Sequence, residues 1–208
     1  SANIGCIQHL GDAAGVPVAN NGGANSTAVA EHTWLLILSV LKRLAWQHNN
    51  VVAGKWRIGD LAENRPYEAE GKTLGIVGLG TVGQKVARRA HGFDMPVIYY
   101  DTVRLTEDQE NALGVRFVLL DELLRTADVV SLHVPLNAAT KSLMSARQFG
   151  LMKPAAVLIN TCRGPVVDET ALHQALVSGQ IAGAGLDVMA EEPGKPGHPL
   201  YAAPNITI

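Results

Sequence analysis

The stretch "TLGIVGLGTVGQKVARRA" at residues 73–90 decides how the rest of the chain is read. Its first five residues are apolar or β-branched apart from Gly75, the pattern of a buried strand. Gly78, Gly80 and Gly83 follow in the spacing G-x-G-x-x-G, and a helical pattern then begins. That spacing alone recurs by chance. Between a strand and a helix it has a physical use: Gly78 permits a tight turn, Gly80 lets a pyrophosphate approach the backbone, and Gly83 lets the helix lie close on the sheet. The phosphates would rest against Gly80, Thr81 and Val82, where unpaired N–H groups and the helix dipole favour anions. The next strand ends at Asp101, where a carboxylate accepts hydrogen bonds from an adenosine ribose and repels a 2′-phosphate. The residues therefore favour NAD over NADP, and Arg104 nearby could soften that preference. An S-adenosylmethionine site also combines a glycine-rich loop with such an acid, and is the lesser alternative at this point.

Outward from this stretch the signal is alternation. Short runs rich in Val, Ile and Leu are expected as strands at 16–18, 73–77, 96–100, 115–118, 129–133, 156–160, 183–187 and 205–208. Helical stretches lie between them, near 26–49, 81–92, 106–112, 120–126, 146–151 and 168–178. Strand–helix–strand repetition implies an α/β fold, a doubly wound parallel sheet of the Rossmann type. The helix expected at 26–49 is apolar nearly all round in its middle, so it either crosses the domain core or packs against a second subunit.

Composition narrows the class. The chain has 208 residues, 47% hydrophobic and 17% charged, with a formal net charge of −2. That suits one large globular domain, or one domain plus an appendage, and excludes a disordered chain. No run of Lys and Arg points to nucleic acid or an anionic membrane. The longest apolar run, 34–41, falls far short of the ~20 residues that a bilayer span needs. The two cysteines, Cys6 and Cys162, show no metal spacing; reduced thiols, no disulfide, no metal and a cytoplasmic setting are expected.

Two further stretches sit at the ends of expected strands, where open parallel sheets bind ligands. In "INTCRGPVVD" (159–168) a strand runs into Arg163, Gly164-Pro165 turns the chain, and Asp168 can cap the next helix. An arginine there can clamp a planar carboxylate with two hydrogen bonds, although a surface ion pair is the commoner role. In "GAGLDVMAEEP" (183–193) a strand ends at Asp187 and the adjacent acids Glu191 and Glu192 follow. Adjacent loop acids are usually just solvated, but one placed beside an imidazole would orient it for acid–base work.

Five segments together carry a resemblance: "GVPVANNGGANSTAVAEH" (15–32), "GKTLGIVGLGTVGQKVA" (71–87), "HVPLNAATKSLM" (133–144), "INTCRGPVVDETAL" (159–172) and "IAGAGLDVMAEEP" (181–193). In this order they resemble the D-isomer-specific 2-hydroxyacid dehydrogenases. The resemblance implies hydride transfer between NAD(H) and a small D-2-hydroxy or 2-oxo acid. It matches Arg163 to the residue that binds the substrate carboxylate and polarises its carbonyl. Glu192 matches the acid that pairs with a catalytic histidine, and Asp187 the acid near the nicotinamide carboxamide. His133 and Pro135 match the loop bordering the cofactor, and Thr161 and Cys162 the backbone beside the nicotinamide.

The same resemblance implies that residues 1–208 are a nucleotide-binding domain without its substrate domain. The family histidine falls just beyond the "NITI" strand, so this stretch alone is expected to bind NAD without turnover. The other histidines, His32 among them, read as structural or solvent-facing. A homodimer is expected. Dinucleotide-sensing corepressors related to the family are the alternative, with "RLAWQHNNVVAGKW" (43–56) having some of their flavour. Formate enzymes carry Gln in place of Glu192, which argues against that substrate.

Overall fold

The computed structural model describes residues 14–15, 23–55 and 66–208. The strand expected at 16–18, together with Cys6 and His9, lies outside the described residues. Seven strands form the sheet: β1 Leu74–Val77, β2 Val97–Tyr100, β3 Val115–Phe117, β4 Val129–Leu132, β5 Val157–Asn160, β6 Gly183–Leu186 and β7 Ile206–Thr207. Their order across the sheet is β3-β2-β1-β4-β5-β6-β7, and every pairing is parallel. The chain therefore builds outward from β1 to one edge, returns to its centre at β4, and builds to the other edge. Between β1 and β4 the crossover direction reverses, which opens a crevice at the C-terminal ends of those strands. The doubly wound architecture read from the alternation is the one observed.

Helices cover both faces. These are α1 Ser26–Leu41, α2 Leu44–Val52, α3 Thr81–Ala90, α4 Glu107–Leu113, α5 Leu120–Thr126, α6 Ala146–Phe149 and α7 Glu169–Val177. Because side chains alternate along a strand, each central strand feeds two cores. Leu74 and Ile76 of β1 pack with Trp34 and Ile37 of α1 and Val86 and Ala87 of α3. Val77, with Val130 and Leu158, packs on the other face with Leu123 of α5, Phe149 of α6 and Leu172 of α7. Burial on both faces explains why these strands read as continuous apolar runs.

Local chemistry sets the helix ends. Thr106 and Gln109 form a reciprocal capping box at the start of α4. Asp168 caps α7 through the Ala171 N–H at 3.0 Å, as its position in the sequence suggested.

The single helix expected at 26–49 is two helices. Leu41 is the last buried residue of α1, and Arg43 adopts a left-handed conformation with φ 51°. Neither Lys42 nor Arg43 is a sequence-level breaker; the helix stops where the core beneath it stops. Within α1, Ala30, Trp34, Ile37 and Val40 are buried, whereas Leu35 is exposed. Among the described residues no helix is long and apolar enough to cross a membrane.

Phe149 is fully buried between α6 and the sheet. Phe149→Ala is expected to lower the unfolding free energy by about 3–5 kcal/mol, with little change in the urea m-value. Equilibrium urea unfolding checks this.

Candidate active site

The residues singled out in the sequence lie at the C-terminal ends of five adjacent strands, β2, β1, β4, β5 and β6. At the ~4.8 Å spacing of neighbouring strands this rim is about 19 Å long.

At its centre, β1 runs into the glycine turn. Gly78 has φ +93°, and a Cβ there would meet the His133 carbonyl oxygen at 2.7 Å. A Cβ on Gly83 would come within 2.3 Å of the Gly78 carbonyl oxygen. Both positions are closed to side chains, and this lets α3 sit directly against the end of β1. Gly80 differs: among the described residues nothing lies within 4 Å of its Cβ position, and Gly80 and Thr81 are exposed. The N-terminal amides of α3 are thus presented to open space, with Val82 partly and Gly83 fully covered behind them.

Asp101 ties the turn to β2. Its Oδ2 accepts the Leu79 N–H at 2.7 Å, and its Oδ1 accepts the Val103 N–H at 3.3 Å. Arg104 is already engaged. Its guanidinium grips Glu110 at 2.7 and 3.0 Å, and the same carboxylate accepts the Tyr99 hydroxyl at 2.9 Å. The Arg104 hydrogen bonds hold the Glu110 carboxyl below its usual range, and burial pushes the Tyr99 phenol up. The Arg104 charge near Asp101 is therefore neutralised by Glu110.

On the other side of the switch point, β4 leads to His133, whose Nε2 lies 2.9 Å from the Ser131 hydroxyl. Burial lowers its pKa from 6.5 to about 4, so the ring is neutral near pH 7. Pro135 is exposed, and its carbonyl accepts the Thr140 hydroxyl at 2.6 Å, closing the loop after β4.

At the end of β5, Asn160 organises the turn through Cys162 and Arg163. Its Oδ1 accepts the Cys162 N–H at 3.0 Å and the Cys162 thiol at 3.1 Å, while its Nδ2 donates to the Arg163 carbonyl at 3.0 Å. Burial pushes the Cys162 thiol up, which makes it a neutral hydrogen-bond donor rather than a nucleophile. Thr161 is buried, and its hydroxyl lies 3.0 Å from that of Thr33 on α1. The half-buried Arg163 donates from Nη1 to the Cys162 carbonyl at 2.6 Å. Gly164 then presses on the next loop: a Cβ there would fall 1.9 Å from the Met189 carbonyl. The loop bearing Arg163 and the loop bearing Glu192 are consequently in backbone contact.

In that second loop Glu191 pairs with Lys195 at 2.8 Å, an exposed ion pair of little energetic weight. Glu192 is exposed too, but its Oε1 accepts the Met189 N–H at 3.1 Å. Glu169 pins the loop further through the Ala190 N–H at 2.7 Å and His198 at 3.3 Å. The imidazole–carboxylate pairs among the described residues are His198–Glu169 and His32–Asp187, the latter at 3.3 Å. Neither uses Glu192. His32, read from the sequence as structural or solvent-facing, stands on the rim, and Asn160 carried no assigned role in that reading. Only its place between a strand end and "TCRG" hinted at the latter.

Two other observations bound the site. Among the described residues no group of three or more His, Cys, Asp or Glu could hold a metal ion. A cavity of about 410 Å³, lined by Thr73, Pro96, Glu110 and Arg116, lies at the opposite ends of β1, β2 and β3, away from these residues.

A nucleotide-type turn beside an acid, with an arginine loop two strands away, narrows the choice of family, and sequence comparison settles it. The family described as "D-isomer specific 2-hydroxyacid dehydrogenase, NAD binding domain" matches residues 34–208. The chain belongs to that family. It is 43% identical over 195 residues to a glyoxylate reductase of Korarchaeum cryptofilum, covering 93% of this chain and 58% of that protein. A D-mandelate dehydrogenase of Rhodotorula graminis superposes with TM-score 0.88 at 36% identity, covering 94% of this chain and 58% of the other. An NAD-dependent formate dehydrogenase of Staphylococcus aureus, solved in complex with NAD, gives TM-score 0.81 at 33% identity over 89% of this chain and 54% of the other. The chain thus spans just over half the length of these dehydrogenase relatives.

Within this dehydrogenase domain the buried neutral His133 makes stability depend on pH. Its folded pKa lies below its unfolded one, so the unfolded chain takes up the proton first. Stability is expected to fall as pH drops from 6.5 towards 4, and His133→Gln is expected to flatten that decline. Urea unfolding across this range checks it.

Proposed function

We propose that the rim binds NAD(H) in an extended pose and that the protein reduces a small 2-oxo acid, or oxidises the corresponding D-2-hydroxy acid. The observation that carries the reading is the exposed start of α3 at Gly80 and Thr81, flanked by the Asp101 carboxylate on one side and the Arg163 loop on the other. Gly78, Gly80, Thr81, Val82 and Gly83 would hold the pyrophosphate, and Asp101 the adenosine ribose. His133, Pro135, Thr161, Cys162 and Asp187 would border the nicotinamide. Bound NADH supplies the hydride. Arg163 would grip the substrate carboxylate and polarise the carbonyl, and Glu192 would orient the imidazole that protonates the product oxygen. The name of the Korarchaeum relative, glyoxylate reductase, supports a short 2-oxo acid. No feature of the described residues favours the corepressor alternative. The sparse cysteines and the neutral, hydrogen-bonded Cys162 thiol support a reducing cytoplasmic setting.

Titration with NADH and NADPH, followed by nucleotide fluorescence, tests the cofactor assignment. The chain should bind NADH more tightly. Asp101→Asn retains an acceptor for the Leu79 N–H but removes the charge, and should narrow the NADH:NADPH ratio roughly tenfold. An unchanged ratio would contradict the role given to Asp101.

We also infer that α2, with the outer side of α1, meets a second copy of this chain. α2 has no buried residue, and Leu44 and Val52 are 54% and 73% exposed. A nine-residue helix is marginal without packing, and this one carries no Asp, Glu, Lys or Arg to keep two copies apart. Sedimentation should give twice the 22.0 kDa chain mass, and Leu44→Glu combined with Val52→Glu should return it to one.

A further inference from the structure

Two consecutive residues of α1 reach the ends of two adjacent strands. Thr33 Oγ1 lies 3.0 Å from Thr161 Oγ1 after β5, and His32 Nε2 lies 3.3 Å from Asp187 Oδ1 after β6. The threonine contact is buried and fixes where α1 sits. The histidine contact is on the open rim, with the two side chains 40% and 44% exposed.

The two partners differ in rigidity. His32 belongs to a helix clamped to the sheet, since Leu36 and Val40 press on the Cβ positions of Gly185 and Gly183. Asp187 is the first residue of a loop. Its N–H continues the ladder by bonding to the Asn160 carbonyl at 3.0 Å, while among the described residues its carboxylate is held by His32. Glu31 does not compete for the imidazole; it faces Arg89 on α3 at 3.4 Å. A carboxylate held at one oxygen by a ring from a rigid helix has its plane fixed, and its other oxygen is left for a donor.

Resting on the placement of the nicotinamide beside Asp187 given above, we propose that His32 is a positioning residue. It orients the Asp187 carboxylate to accept the carboxamide N–H of the nicotinamide. An acceptor fixed before the cofactor arrives lowers the ordering cost of binding, and only for the nicotinamide end.

Calorimetric titration of the whole chain with NADH and with ADP-ribose, which lacks the nicotinamide, tests this. His32→Ala should weaken NADH roughly tenfold, the scale of one hydrogen bond to a charged group, and change ADP-ribose by less than about twofold. His32→Gln keeps an N–H donor and should recover part of the loss. In an Asp187→Ala background, His32→Ala should have no further effect. Unchanged NADH affinity in a folded His32→Ala chain would overturn the inference. Equal weakening of NADH and ADP-ribose would also overturn it, because that pattern means only that α1 has shifted. Failure of the unaltered chain to bind either ligand would instead contradict the proposed function, and the inference with it.

Discussion

The approach of Gly83 to the Gly78 carbonyl governs everything at the rim. With no side chain between them, α3 lies against the end of β1, and its first amides point outward at the place where strand order reverses. Gly78 is fixed in turn by the His133 carbonyl on the neighbouring strand, which requires its left-handed backbone. A methyl group at either position would have to displace backbone, not a flexible side chain. The exposed N-terminal end of α3 is therefore set by the two central strands of the sheet, and does not depend on loop conformation.

Around that fixed point the flanking loops are held by single polar side chains. Asp101 joins the glycine turn to β2, Asn160 shapes the backbone that leads into Arg163, and Glu169 and Glu192 pin the loop after β6. Each is a charged or amide acceptor of backbone N–H groups that the sheet leaves over. The electrostatics follow from the same economy of partners. Arg104 is committed to Glu110, which leaves Asp101 as an uncompensated negative charge at the β2 end of the rim among the described residues. At the other end of the rim, Cys162 and His133 are kept neutral by burial, and Arg163 and Asp187 are charged groups beside them.

Most of the sheet was legible because buried parallel strands announce themselves as unbroken apolar runs. Each described strand falls within its expected range, shortened by a residue or two where pairing ends. The break between α1 and α2 was not legible, since Lys42-Arg43 contains neither Gly nor Pro; the helix ends for lack of core below it. The glycine turn and the acid that ties it to β2 were readable because their geometry depends on local spacing. His32 and Asn160 were not. The first acquires meaning only when α1 folds back onto β6, and the second only when its amide closes on Cys162 and Arg163. The buried Thr33–Thr161 contact spans 128 residues of sequence, and no local pattern reports it.

The most direct test is diffraction from crystals of this chain grown with NAD. The account predicts pyrophosphate oxygens within hydrogen-bonding distance of the amides at residues 80–82, the adenosine ribose on Asp101, and the nicotinamide between the Arg163 loop and Asp187. A dinucleotide seated elsewhere, or a pyrophosphate that does not touch the start of α3, would contradict it.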